Sequence, residues 1–112
     1  MSRNSRDYLR HILDETEYLI STSRSLDKSY FLEDETLKRA FVRSLEIMGE
    51  AVKQLPTSFR DNYPEIEWRK IAGMRDRLIH NYFGVDYEIV WDAVITEVPR
   101  LNAKIREILN LD

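Results

Sequence analysis

Apolar residues recur every three or four positions along most of this 112-residue chain, the spacing that puts them on one face of a helix. From Arg6 to about Ser25 the stripe is Tyr8, Leu9, Ile12, Leu13, Leu19 and Ile20, with Ser5 as the expected N-cap. The stretch Ser21 to Ser25 weakens that helix, and Leu26-Asp27-Lys28-Ser29 reads as a connection. A second helix is expected from near Glu33 to Leu55, before Pro56. Its stripe (Leu37, Ala40, Phe41, Leu45, Ile47, Met48, Ala51, Val52, Leu55) is wide, as in a central helix. Gly49 lies inside it, where glycine costs about 1 kcal/mol relative to alanine; close approach of a neighbouring backbone would explain its presence.

Phe59 to Tyr63 fits a single helical turn before Pro64. A third helix is expected over roughly Glu65 to Asn81, with Ile66, Trp68, Ile71, Ala72, Met74, Leu78 and Ile79 as its apolar members, and Gly84 marks the break after it. The last helix starts behind Asp86, a good N-cap, and runs through Tyr87, Val90, Trp91, Val94, Ile95, Val98, Leu101, Ile105 and Ile108 to Leu109. Pro99 falls inside this run, and the uninterrupted spacing favours a kink over a break. No stretch alternates as a strand would. The expected fold is a single all-α domain over residues 1–112, an up-and-down bundle of four main helices with one short extra helix, with Trp68 and Trp91 in its core.

Composition narrows the possibilities. A chain of this length supports one core and no separate cofactor domain. There is no cysteine, which removes disulfides, thiolate metal sites and cysteine nucleophiles. No apolar run is long enough to span a bilayer and the first residues carry no signal core, so a soluble, cytoplasmic protein is expected. The net charge of −3 argues against broad coating of nucleic acid, but Arg69, Lys70, Arg75 and Arg77 make a local basic cluster. With two distant histidines there is no strong metal constellation; His11 beside Asp14 and Glu15 reads as a solvated ion pair. No glycine-rich phosphate loop is present, and no cofactor is expected.

The chemistry concentrates in Gly73-Met74-Arg75-Asp76-Arg77-Leu78-Ile79-His80-Asn81-Tyr82-Phe83-Gly84. A histidine at a helix end is commonly structural, bound to a carbonyl or set at the negative pole of the helix. Asp76, four residues before His80, shares its face and can orient the imidazole. Arg75 lies five residues before His80, about 140° away on an ideal helix. The two meet in one site only if the helix end distorts, if the arginine curls round, or if two chains pair so that one chain's Arg75 faces the other's His80. Such a set can cleave RNA without metal: the histidine moves the proton of a 2′-hydroxyl or of the leaving 5′-oxygen, and the arginine holds the phosphate. The products would be a 2′,3′-cyclic phosphate and a 5′-hydroxyl. Glu50 is expected near the bundle interior, either as a partner of Arg75 or Arg77 or as a solvated residue.

These residues also carry a resemblance. Arg75 to Tyr82 resembles the R-x4-H-x-Y motif of the HepT family, within the wider HEPN class of helical ribonucleases. The likeness extends to Glu46-Ile47-Met48-Gly49-Glu50-Ala51, to Trp68 through Arg75 and to His80-Asn81-Tyr82-Phe83, and spans Thr36 to Leu109. It implies a HEPN-like bundle acting as a homodimer, with the two motifs facing each other across a cleft. It implies a toxin of a toxin–antitoxin pair, with RNA as substrate (family members suggest tRNA). The implied partner is an MntA-type nucleotidyltransferase antitoxin that attaches AMP to the motif tyrosine. Arg75 and His80 would then be the catalytic pair, Asp76 a supporting residue in a position often held by asparagine, and Tyr82 the AMPylated residue. Two other readings remain open: a non-catalytic module that binds a nucleotide or a nucleotidyltransferase, and a helical oligomer in which His80 is structural.

Overall fold

A computed structural model describes residues 1–80 and 82–111, with the backbone alone of Tyr82. Among them the elements are α1 (Arg3–Ser23), α2 (Lys28–Glu33), α3 (Glu35–Gln54), α4 (Thr57–Asp61), α5 (Trp68–His80), a 3-10 turn (Tyr82–Gly84), α6 (Tyr87–Asp92), a π turn (Ala93–Glu97) and α7 (Val98–Ile108). No strand occurs among the described residues, and no helix is long and apolar enough to cross a membrane.

Four main helical runs are present, as the periodicity requires: α1, α3, α5 and the run from α6 through α7. The wide-striped α3 packs against both α1 and α5, and α1 also packs against α7. Leu9, Ile12 and Leu19 of α1, Phe41 and Val52 of α3, and Val94, Val98 and Ile105 of the last run meet in one buried core. Trp68 and Trp91 are both buried. The Trp68 indole N–H donates to the carbonyls of Arg60 and Tyr63, each at 3.1 Å, and so ties the short α4 to the start of α5.

Three expectations need correction. The first helix begins earlier than predicted: Ser2, not Ser5, is the cap, its hydroxyl accepting from the Ser5 N–H at 3.1 Å, and Ser5 is buried inside the helix. The stretch expected to connect the first two long helices is itself helical in part. Asp27 caps α2 by accepting from the Tyr30 N–H at 2.8 Å, and Asp34 both ends α2 and caps α3. The reason for α2 is Phe31, fully buried with its ring 4.8 Å from Phe41 and 5.3 Å from Trp91. Burying such a ring contributes about 1.5–3 kcal/mol, enough to order one short turn. Finally, α5 starts at Trp68 rather than Glu65, because Pro64 and the Trp68 anchor hold the preceding residues in turns.

Pro99 does not break the last run; it lies in the first turn of α7. The turn before it is π: the Val98 N–H reaches back to the Ala93 carbonyl. Proline follows at the start of α7, where its missing N–H leaves no helical bond unmade.

Candidate functional site

The motif helix α5 crosses α3 at Gly49. A Cβ on Gly49 would stand 2.2 Å from the Cβ of Arg75 and 3.1 Å from the carbonyl oxygen of Ile71. Only hydrogen fits there. The close approach expected at this glycine is therefore real, and what occupies the space is the base of the Arg75 side chain.

The guanidinium of Arg75 is fixed from two sides. Its Nη2 lies 2.9 Å from Glu50 Oε2, and its Nη1 donates to Asp76 Oδ1 at 3.0 Å. Glu50 is thus the partner of Arg75, but about half of its side chain is exposed, so it does not lie in the interior as expected. The ion pair itself holds Glu50 at the surface, since Arg75 reaches out across the α3–α5 crossing.

Asp76 Oδ1 takes a second cation, Lys53 of α3, whose Nζ donates at 2.8 Å. The Lys53 hydrogen bond first, and the Arg75 bond second, hold the Asp76 carboxyl below the usual carboxylate range, so it stays ionised. The result is a chain of alternating charge, Glu50, Arg75, Asp76, Lys53, open to solvent along its length.

His80 closes α5 and is exposed, and among the described residues it has no hydrogen-bond or ion-pair partner. Asp76 and His80 are not joined by a hydrogen bond among the described residues; the carboxylate is instead turned to Lys53 and Arg75. The structure therefore brings Asp76 to Arg75 and leaves His80 apart from both. Arg77 and His80 sit in the last turn of α5, where positive charge is favoured by the helix dipole. The side chain of Tyr82, the residue expected to be AMPylated, lies outside the described residues. Around the end of α5 three large apolar side chains stand exposed: Ile79, Phe83 and Ile89. Phe83 is 98% exposed.

Two cavities flank α5 away from α3's charged row. One of about 150 Å³ is walled by Met74, Leu78, Val90 and Ile89. The other, about 120 Å³, lies between α5 and α7 over Leu45, Met48, Ile71 and Leu101, rimmed by the Lys70–Glu97 ion pair. Arg77 and Leu78 of the motif stretch line the first of these, and Arg75, Asp76 and His80 line neither. Among the described residues no three His, Asp or Glu side chains come together as metal ligands would.

Sequence reading missed Lys53. Its signal was Gly49: a glycine in mid-helix marks a helix crossing, and Lys53, one turn on, faces the crossing partner.

The chain matches the model of the HepT-like family, described as Ribonuclease HepT-like, over residues 12–108. A protein named Putative RNase from Caldanaerobacter subterraneus subsp. tengcongensis is 50% identical over 107 residues, covering 96% of each chain. A similarly named protein of Methanocaldococcus jannaschii is 42% identical, with 96% of this chain and 88% of the relative covered. One named Probable ribonuclease HepT, from Thermococcus cleftensis, is 41% identical over 96% of this chain and 98% of its own. No solved structure matches significantly. With residues 12–108 matched by the family model and nearly its whole length matched by relatives named Putative RNase or Probable ribonuclease HepT, the chain belongs to the HepT-like ribonuclease family.

Proposed function

We propose that this chain is a metal-independent endoribonuclease and the toxin of a toxin–antitoxin pair, with Arg75 and His80 as its catalytic residues. The observation that carries the reading is Arg75: a side chain whose base is seated in the Gly49 notch and whose guanidinium is aimed by carboxylates, on the same helix as an exposed histidine that has no partner among the described residues. In the reaction His80 takes the proton of a 2′-hydroxyl, the 2′-oxygen attacks phosphorus, the bond from phosphorus to the 5′-oxygen breaks, and that oxygen leaves with a proton returned by the imidazolium, directly or through water. The products are a 2′,3′-cyclic phosphate and a 5′-hydroxyl. Arg75 offsets the charge that builds on the phosphoryl oxygens.

Arg75 turns toward α3 while His80 stands free at the helix end, which favours a site completed by a second copy of the chain. The exposed Ile79, Phe83 and Ile89 supply apolar surface for that contact. AMP attached at Tyr82 by an MntA-type nucleotidyltransferase adds bulk and a phosphodiester charge two residues beyond His80, which would repel an RNA backbone.

Cleavage of RNA in EDTA is expected for the wild type and is expected to be lost in His80→Ala and Arg75→Ala, with cyclic phosphate ends in the wild-type products. Full cleavage by His80→Ala would remove the catalytic assignment. Protein produced with its nucleotidyltransferase is expected to gain adenylate mass on the Tyr82 peptide; unmodified Tyr82 with a silenced toxin would overturn the regulatory part. One observation favours the alternative of a non-catalytic binding module: both Nη groups of Arg75 are already occupied by carboxylates. Tight partner or nucleotide binding with RNA left intact would identify that module.

A further inference from the structure

The charged row on α3 and α5 contains a second cation with no assigned role. Lys53 Nζ and Arg75 Nη1 donate to the same atom, Asp76 Oδ1, at 2.8 and 3.0 Å. Two cations from different helices therefore converge on one anionic oxygen, no farther apart than those two bonds allow. A phosphate oxygen makes the same demand on its surroundings: charged N–H donors arriving from two directions at such distances.

The rest of the geometry suits an exchange of one anion for another. Arg75 cannot drift, because its base is packed against Gly49 and its other nitrogen is held by Glu50. Lys53 and Asp76 are each more than a third exposed, so an incoming strand reaches them without any helix moving. Asp76 stays charged and so cannot vacate the position by taking up a proton; it must rotate out. With a net charge of −3, the protein offers no broad attractive field, and affinity for a polyanion must come from local cations such as these. Of the other α5 cations in the basic cluster, Lys70 is engaged with Glu97 of the π turn.

We propose that Lys53, outside the motif, is an RNA-phosphate ligand: with Arg75 it forms a two-cation cradle for one backbone phosphate, and the Asp76 carboxylate occupies that cradle in the RNA-free protein. The inference rests on the ribonuclease reading. It makes Asp76 a competitor of the substrate rather than only a support for the site. It also gives α3 a part in substrate binding as well as in packing.

The test is binding of a fluorescein-labelled, 2′-O-methylated single-stranded oligoribonucleotide, which cannot be cut, measured by anisotropy over a range of KCl concentrations. Steady-state cleavage of the unmodified RNA runs in parallel. Lys53→Gln is expected to raise Kd about tenfold at low salt, as for loss of one charge-assisted hydrogen bond. It is also expected to flatten the slope of log Kd against log[KCl] by about 0.7, one phosphate contact on a single strand. KM for cleavage should rise with it while kcat holds. Lys53→Arg should restore both Kd and slope, and Asp76→Asn should lower Kd. A Lys53→Gln protein with wild-type Kd and slope would reduce Lys53 to a surface ion pair and overturn the inference. So would a loss of kcat at unchanged Kd, which would make Lys53 a positioning residue only. If the wild type neither binds nor cleaves RNA, the ribonuclease reading fails first and takes the cradle with it.

Discussion

Two polar networks join helices in this protein, and they are built differently. Between α1 and α7, Asn102 mediates: its amide donates to Thr16 Oγ1 at 3.0 Å and to Glu17 Oε1 at 3.2 Å, and its carbonyl accepts from Arg106 Nε at 3.3 Å. Arg106 also pairs directly with Glu17, and Thr16, fully buried, donates onward to the Leu13 carbonyl. Between α3 and α5, by contrast, Glu50, Arg75, Asp76 and Lys53 are all charged and no neutral group stands between them. In the first network directional amide and hydroxyl bonds of Asn102 and the buried Thr16 surround the one ion pair, Arg106–Glu17, and fix its place. In the second, every bond is an ion pair between side chains that are a quarter to a half exposed, a kind of contact that contributes little to stability and leaves the cations within reach of another anion. Equal numbers of helices and similar residues thus make a clamp in one place and a binding surface in the other.

The sharpest way to break the comparison is to remove a charged member from each side. His80→Ala and Arg75→Ala are expected to slow RNA cleavage by at least about a hundredfold, with melting temperatures near wild type. Arg106→Ala should do the reverse, lowering the melting temperature and leaving kcat of the folded enzyme unchanged. A large stability loss in Arg75→Ala would erase the distinction. Gly49→Ala should affect both properties, because its methyl group would collide with the Arg75 side chain; about 1–3 kcal/mol of stability and most of the activity are expected to go, read by denaturant unfolding and cleavage assays. Thr16→Val, which leaves the Asn102 amide one acceptor short, should cost about 1 kcal/mol in the same unfolding assay and leave cleavage untouched.

The smallest effect is on pH dependence. The Arg106 hydrogen bond first, and the Asn102 bond second, lower the Glu17 pKa. A carboxyl with a lowered folded-state pKa stabilises the protein above its unfolded-state value, and that contribution fades as pH falls through the folded-state value. Between neutral pH and about pH 3 the wild type should therefore lose more stability than Glu17→Gln, as followed by thermal melts. Equal losses would mean that Glu17 adds nothing in the folded state.

What was legible in the sequence follows from the range of the forces involved. The long amphipathic runs declared α1, α3, α5 and the last helical run, because each repeats its apolar spacing over several turns. Six residues cannot show a period, so α2 was hidden inside the expected connection, and its caps Asp27 and Asp34 and its anchor Phe31 became evident only in the fold. Ser5 was taken for a cap because Ser2 and Ser5 have the same chemistry at one-turn spacing. Within the site, Arg75, Asp76 and His80 could be found together because they are local in sequence. Lys53 and Glu50 could not be placed, since nothing near them in the chain specifies which helix crosses theirs. Gly49 was read as a crossing point, but its partner became evident only in the fold.

The π turn over Ala93–Glu97 has a consequence for phase. The buried positions Val90, Val94 and Val98 are spaced by four, and on an ordinary helix each step of four overshoots the full circle by about 40°. The wider turn absorbs the overshoot, so Val90, Val94 and Val98 all stay buried while α6 packs on α2 and α3 and the π turn and α7 pack on α1. In effect the last helix carries one surplus residue, stored where Ile95 and Thr96 face solvent. The chain can therefore change length by one residue at that place, without rotating either half of the helix against the core.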